Sequence, residues 1–197
     1  MIHSKELYDE AVIFAAKEGN VTLLNKFISA GASACFCNNH GNTALIMASQ
    51  SGYLDVIKIL IENGAQINYQ NNIGNTALHY ASYGNYVNIV KFLISIRSSY
   101  IDIQNQQGLT PLIHAAYNGR LAAVKILCEA GANCELVCSE GRSALMWSVI
   151  LNRIDVFKYL VAFGASIKIE DRQKNTLEDW ANIMEQKEIL NYIATMK

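Results

Sequence analysis

The triplet Gly-x-Thr begins at Gly41, returns at Gly74 and Gly108, and appears as Gly-x-Ser at Gly141, in steps of 33, 34 and 33 residues. A Gly-Ala pair keeps the same beat at Gly31, Gly64, Gly131 and Gly164, with one pair missing and one residue added between Gly64 and Gly131. A fixed period of this length constrains the chain more than any local propensity. Each copy is one small supersecondary unit that cannot bury its apolar face alone, so neighbouring copies must pack side by side. The chain has room for about six such units.

The copy at 39–70 shows how one unit is written. Thr43 is placed to cap a first helix, its hydroxyl accepting a free N–H of the first turn. Ala44, Leu45, Ala48 and Ser49 make a narrow face of small and apolar residues. Gly52 suits the left-handed residue that ends that helix. Val56, Ile57, Leu60 and Ile61, spaced by three and four, give a second helix its buried stripe. Asn63-Gly64 closes it, Ile67 points inward, and a polar hairpin projects beyond the helices.

The sequence then reads GNTALIMAS…GYLDVIKILIENGAQIN, GNTALHYAS…VNIVKFLI, GLTPLIHAA…GRLAAVKILCEAGAN and GRSALMWSV…IDVFKYLVAFGASI. This resembles the ankyrin repeat, over nearly the whole chain and with several positions recurring in register. The resemblance implies one all-α solenoid of helix-turn-helix units with projecting β-hairpin loops. Full repeats are expected at 39–70, 71–104, 105–137 and 138–170, between an N-terminal cap (1–38) and a C-terminal cap (171–197). Two caps favour a complete array.

The departures carry expectations of their own. In the first cap, helices are read over 9–18 and 21–30, with Glu6, Asp9 and Glu10 suiting the positive end of the first helix dipole. Asn85 and Asn152 replace the mid-repeat glycine, and asparagine visits the left-handed region more readily than other side chains. Ile96 to Tyr100 replaces a Gly-Ala closure with one extra residue, so a bulged, wider loop is expected there. Pro111 sits at a helix start, where a missing N–H costs nothing. By resemblance His79 is a core histidine bonded to backbone; His114 lies one place late for that role. The bulkier Met146-Trp147-Ser148-Val149 suggests that the fourth repeat packs differently on its neighbours. In the C-terminal cap Lys174 replaces glycine, Glu178-Asp179 replaces the Leu-His pair, and the helices break at 186–188.

Little in the chain speaks for chemistry. The Gly-x-Thr triplets lack the Gly-Lys-Ser/Thr of a phosphate cradle, and there is no Gly-x-Ser-x-Gly elbow, His-Glu-x-x-His pair or acidic calcium loop. The five cysteines, Cys35, Cys37, Cys128, Cys134 and Cys138, read as free thiols of a reducing compartment, because the spacings 35/37 and 134/138 recur at loop ends with no histidine at finger spacing. A net charge of -1 with no dense Lys/Arg run argues against nucleic acid and anionic membranes as partners. No apolar run is long enough to span a bilayer. The expectation is a monomeric, non-enzymatic scaffold of the cytosol or nucleus, without cofactor or metal.

By resemblance, partner proteins dock on the concave surface of hairpin tips and first helices. The residues expected to be exposed there are His40, Asn42, Gln50 and Ser51, then Ile73, Asn75 and Tyr83. Gln107, Leu109, Tyr117 and Asn118 follow in the third repeat, and Glu140, Arg142, Ile150 and Leu151 in the fourth. Ile73, Tyr83, Leu109 and Tyr117 form an apolar and aromatic set rimmed by amides, the composition of an energetic hot spot. Packing of Ile73 and Leu109 against neighbouring hairpins is the alternative. Other readings are a targeting or regulatory module of a larger assembly, or a substrate for asparagine hydroxylation. Asn68 matches the modified position of the family, and Asp102, Glu135 and Lys168 stand at its equivalents.

Overall fold

From the first full repeat onward, each first helix opens on a hydroxyl. In the computed structural model, which describes residues 2–96 and 100–195 and the side chains from Leu7 onward, Thr43, Thr76, Thr110, Ser143 and Thr176 each accept the N–H three residues ahead. Those caps start α3 (Ala44–Ser51), α5 (Ala77–Gly84), α7 (Pro111–Tyr117), α9 (Ala144–Ile150) and α11 (Leu177–Ile183). The partner helices are α4 (Leu54–Glu62), α6 (Val87–Ile96), α8 (Leu121–Glu129), α10 (Ile154–Phe163) and α12 (Lys187–Ala194). Ahead of them lie α1 (Ile2–Lys17) and α2 (Val21–Ser29).

These helices fall into two compact halves, 1–100 and 101–197. In the first, α1 packs on α3 and α3 on α5, with α2 and α4 behind. Val12, Leu24, Leu45, Ile57, Leu60, Ile89 and Leu93 fill its core. In the second, α9 lies between α7 and α11, with α8 and α10 in contact behind. Leu112, Leu127, Leu145, Phe157 and Leu160 are fully buried there. The small-residue face of each first helix is buried as expected, Ala44, Leu45, Ala48 and Ser49 being at most 1% exposed. Small side chains let the axes approach closely, and the apolar stripe of each second helix covers the rest.

Three of the hairpins are tight turns closed by a single bridge, at Cys37–Thr43, Val137–Ser143 and Glu170–Thr176. Asn38, Asn71, Asn105 and Asp171 start hairpin turns, and each side-chain oxygen accepts the N–H groups two and four residues on. Successive tips are joined by backbone bonds: Asn72 N–H donates to the His40 carbonyl at 3.1 Å, Ser139 to Gln107 at 2.8 Å and Arg172 to Glu140 at 3.0 Å.

Gly141 shows why the tip glycine recurs. Its φ is +77°, and a Cβ added there would lie 2.9 Å from the Arg172 backbone nitrogen. We expect Gly141→Ala to lower unfolding free energy by about 2 kcal/mol, from left-handed strain plus the forced parting of two tips. Urea denaturation measures it, and a loss under half that value would show that the tips yield freely. Lys174 holds the same left-handed backbone at φ +68°, where no later tip among the described residues lies against it.

Asn85 and Asn152 take φ of +59° and +53°, as expected of glycine substitutes. Two helix readings need correction. Helix α1 begins at Ile2, because nothing before Gly19 interrupts a helix, so Asp9 lies inside it instead of at its start. Its buried carboxylate accepts the Ser33 N–H at 2.6 Å. The break in the last cap falls at Glu185, whose φ is +55°, and α12 starts at Lys187. The bulged-loop reading falls on residues 97–99, outside the described residues; Ile101 just after them is buried.

Candidate partner-binding face

In the first half, the hairpins and the outward side of α3 and α5 carry the expected positions. His40 and Gln50 are exposed, and Asn42 and Ser51 are half-buried. Ile73 and Tyr83 are 53% and 51% exposed, too open for packing against a neighbouring hairpin to account for Ile73. Asn75 corrects the expectation. It is 4% exposed, because its N–H and carbonyl both close the turn on Asn71. The Asn71 amide instead links that turn to the helix, donating to Asn42 Oδ1 at 2.8 Å and to the Tyr80 hydroxyl at 3.0 Å.

In the second half, Gln107, Tyr117 and Glu140 are exposed, and Leu109, Asn118, Arg142 and Leu151 are half-buried. Ile150 corrects the expectation here. It ends α9 under the turn between α11 and α12, where the buried Gln186 amide reaches the Ile150 carbonyl at 3.5 Å. The close of the last cap covers it.

One row escaped the sequence reading although the period contains it. The fourth residue of each first helix is Met47, Tyr80, His114, Trp147 or Trp180, and all are half-buried. In the second half this row builds a ladder. The Tyr117 and Trp147 rings meet edge to face, centroids 5.0 Å apart. The Arg142 guanidinium lies 5.1 Å from the Trp147 ring and 4.7 Å from that of Trp180. Arg142 also pairs with Glu140, and its Nε is 3.5 Å from the buried Asp171 carboxylate. Trp180 donates its indole N–H to Asp171 at 2.9 Å. A guanidinium over a tryptophan contributes about 1 kcal/mol, more when water is excluded. The rings are therefore held in place, with Tyr117 exposed and both indoles half-buried.

Two groups on this half have displaced acidities. Burial pushes the Asp171 carboxyl up, but the hydrogen bonds from the Asn175 backbone, the Trp180 indole, the Asn175 side chain and the Gln173 backbone outweigh it. The net result lies below the ordinary carboxylate range. Burial alone lowers His114 to about 4, so its imidazole is neutral near pH 7.

His79 behaves as a core histidine: it is fully buried and its Nδ1 accepts the Thr76 N–H at 3.2 Å. In the last cap Asp179 takes that part, accepting the Thr176 N–H at 2.8 Å. Asn68 is half-buried, in a row two of whose other members hold the next loop. Asp102 accepts the Asn133 N–H at 3.0 Å, and Glu135 accepts that of Ser166 at 2.9 Å. All five cysteines are unpaired thiols, and no group of three metal-ligating side chains occurs among the described residues. No helix among the described residues is long and apolar enough to cross a membrane.

The family model for ankyrin repeats in three copies matches residues 12–104 and 96–171. A palmitoyltransferase of Yarrowia lipolytica, AKR1, is 39% identical over 75 residues, 38% of this chain and 10% of that protein. An ankyrin repeat protein of Coxiella burnetii is 39% identical over 72 residues, 36% of this chain and 21% of its own. BRCA1-associated RING domain protein 1 of Caenorhabditis elegans is 39% identical over 79 residues, 40% of this chain and 11% of its own. The matched stretch thus spans a tenth to a fifth of each of these relatives.

Proposed function

Because the chain belongs to the ankyrin-repeat family, whose members are generally protein–protein interaction modules, we propose that it binds a partner protein and catalyses nothing itself. The partner docks on the hairpin tips and the outward side of the first helices. Tyr83 and Ile73 are the anchors on the first half. On the second half it is Tyr117, backed by Trp147 and Arg142. The observation that carries this reading is the ladder from Tyr117 to Trp180: large rings held by neighbours, the tyrosine exposed and the indoles half-buried, with amides and carboxylates around them. Rigid aromatic groups in a polar rim bury much area on docking and lose little entropy. Palmitoyl transfer is a property of one relative and rests on nothing in this chain.

The test begins with affinity capture and proceeds to calorimetry with the recovered partner. Tyr83→Ala and Tyr117→Ala are each expected to weaken binding by about 1–2 kcal/mol, with thermal unfolding unchanged in the first and lowered in the second only by the loss of its edge contact with Trp147. Equal affinity for wild type and both variants would remove these two anchors. Weaker binding accompanied by a larger drop in melting temperature than this would point to damage of the fold.

A further inference from the structure

Cys128 and Cys134 are not isolated core thiols. Cys128 is the penultimate residue of α8 and 2% exposed; Cys134 lies six residues on, half-buried in the loop that leaves that helix. Their sulfurs are 3.7 Å apart and hydrogen-bonded. We propose that this pair is a dithiol modification site, which small-molecule disulfides oxidise to an intramolecular Cys128–Cys134 disulfide.

The chemistry divides between the two residues. Cys134 is the more acidic, lowered because the Cys128 thiol donates to its sulfur, against an opposing effect of burial. Cys128 is raised, first by that same bond and then by burial. The thiolate is the nucleophile in exchange, and Cys134 is also the less buried residue of the two. Its thiolate attacks one sulfur of R–S–S–R, forming a mixed disulfide and releasing RS⁻, which takes up a proton. Cys128 then loses its proton, attacks the Cys134 sulfur and expels the second RS⁻. Two thiols are oxidised and one disulfide is reduced to two RSH. The sulfurs must close from 3.7 Å to a bond of about 2 Å. Side-chain rotation of Cys134 in its loop supplies that approach.

The position matters for the second half. The same loop holds Asn133, bonded to Asp102, and Glu135, bonded to Ser166. A bond from Cys134 to α8 ties the end of that helix to the chain of loop-to-loop contacts. Cys35, Cys37 and Cys138 have no such sulfur neighbour among the hydrogen bonds of the described residues.

The experiment uses the reduced full chain incubated with glutathione disulfide, then acid-quenched, alkylated and cleaved after glutamate. Cuts after Glu129 and Glu135 separate Cys128, Cys134 and Cys138 into different peptides. The wild type is expected to yield the Cys128 and Cys134 peptides as one linked species, lighter by two hydrogens than their sum. Cys128→Ser is expected to stop at the mixed disulfide, with one glutathione on Cys134. Cys128→Ala serves the same purpose should serine at that buried site unfold the chain. Three outcomes would overturn the proposal: stable glutathione on Cys134 in the wild type, linkage of Cys134 to another cysteine, or a Cys134 that stays reduced.

Discussion

Asp171→Asn is expected to lower unfolding free energy by about 3 kcal/mol, and Trp180→Tyr added to it should recover at least half of the loss. The carboxylate at 171 accepts from the backbone of Gln173 and Asn175 and from the Trp180 indole, and it lies beside the Arg142 guanidinium. Asparagine keeps one oxygen for the two backbone donors, as Asn71 does in the first half. Its second group becomes an NH₂ facing the indole N–H, a donor against a donor. The half-buried Arg142 also loses a counter-charge. With tyrosine at 180, the new amide meets a hydroxyl, which reproduces the Asn71–Tyr80 pair at 3.0 Å. Urea denaturation of the two single variants and the double forms a cycle. Additive losses would show that the indole–carboxylate bond is not the source of the effect. The sign with pH follows from the depressed acidity of Asp171. Its stabilisation is present above the ordinary carboxylate pKa of about 4 and is lost as pH falls through the folded value, so the gap between wild type and Asp171→Asn narrows in acid.

Acidification also draws on His114. The unfolded chain protonates this imidazole near pH 6.5, the folded chain only near 4. Above pH 6.5 neither state carries the proton and the group is silent. Between the two values the unfolded state alone takes it up, so stability is lost as pH falls, up to about 3 kcal/mol by pH 4. His114→Gln cannot take that proton. Melts of wild type and variant across this window should diverge steadily as pH drops. Parallel curves would mean that the imidazole is solvated in the folded protein.

Both predictions rest on a row that the period contains but residue type alone misread. Residue type reads Trp147 as bulk that alters packing and His114 as a histidine one place late for the core role, and the structure adds Trp180 to them. All three occupy one register position with Met47 and Tyr80, half-buried beside the hairpins. Register puts Arg142 exposed on the partner face, and the structure turns it into the filling between two indoles. Asn75 and Ile150 failed differently. Register placed them on the binding face, while a closed turn in one case and the last cap in the other covered them.

What the residues determined unaided is everything that repeats. The spacing of Gly41, Gly74, Gly108 and Gly141 marks the tips, Thr or Ser two places on starts each first helix, and the three-and-four spacing of Val56, Ile57 and Leu60 buries each second one. These are local demands of backbone conformation, capping and amphipathic period, satisfied within one repeat and legible there. What only the tertiary structure decided is which side chains of neighbouring repeats meet: Arg142 between Trp147 and Trp180, Asp171 under that indole, Cys134 beside Cys128. Such meetings depend on distances of a few ångströms across packed elements, and a period of 33 residues carries no record of where a side chain turns once its neighbour is in place.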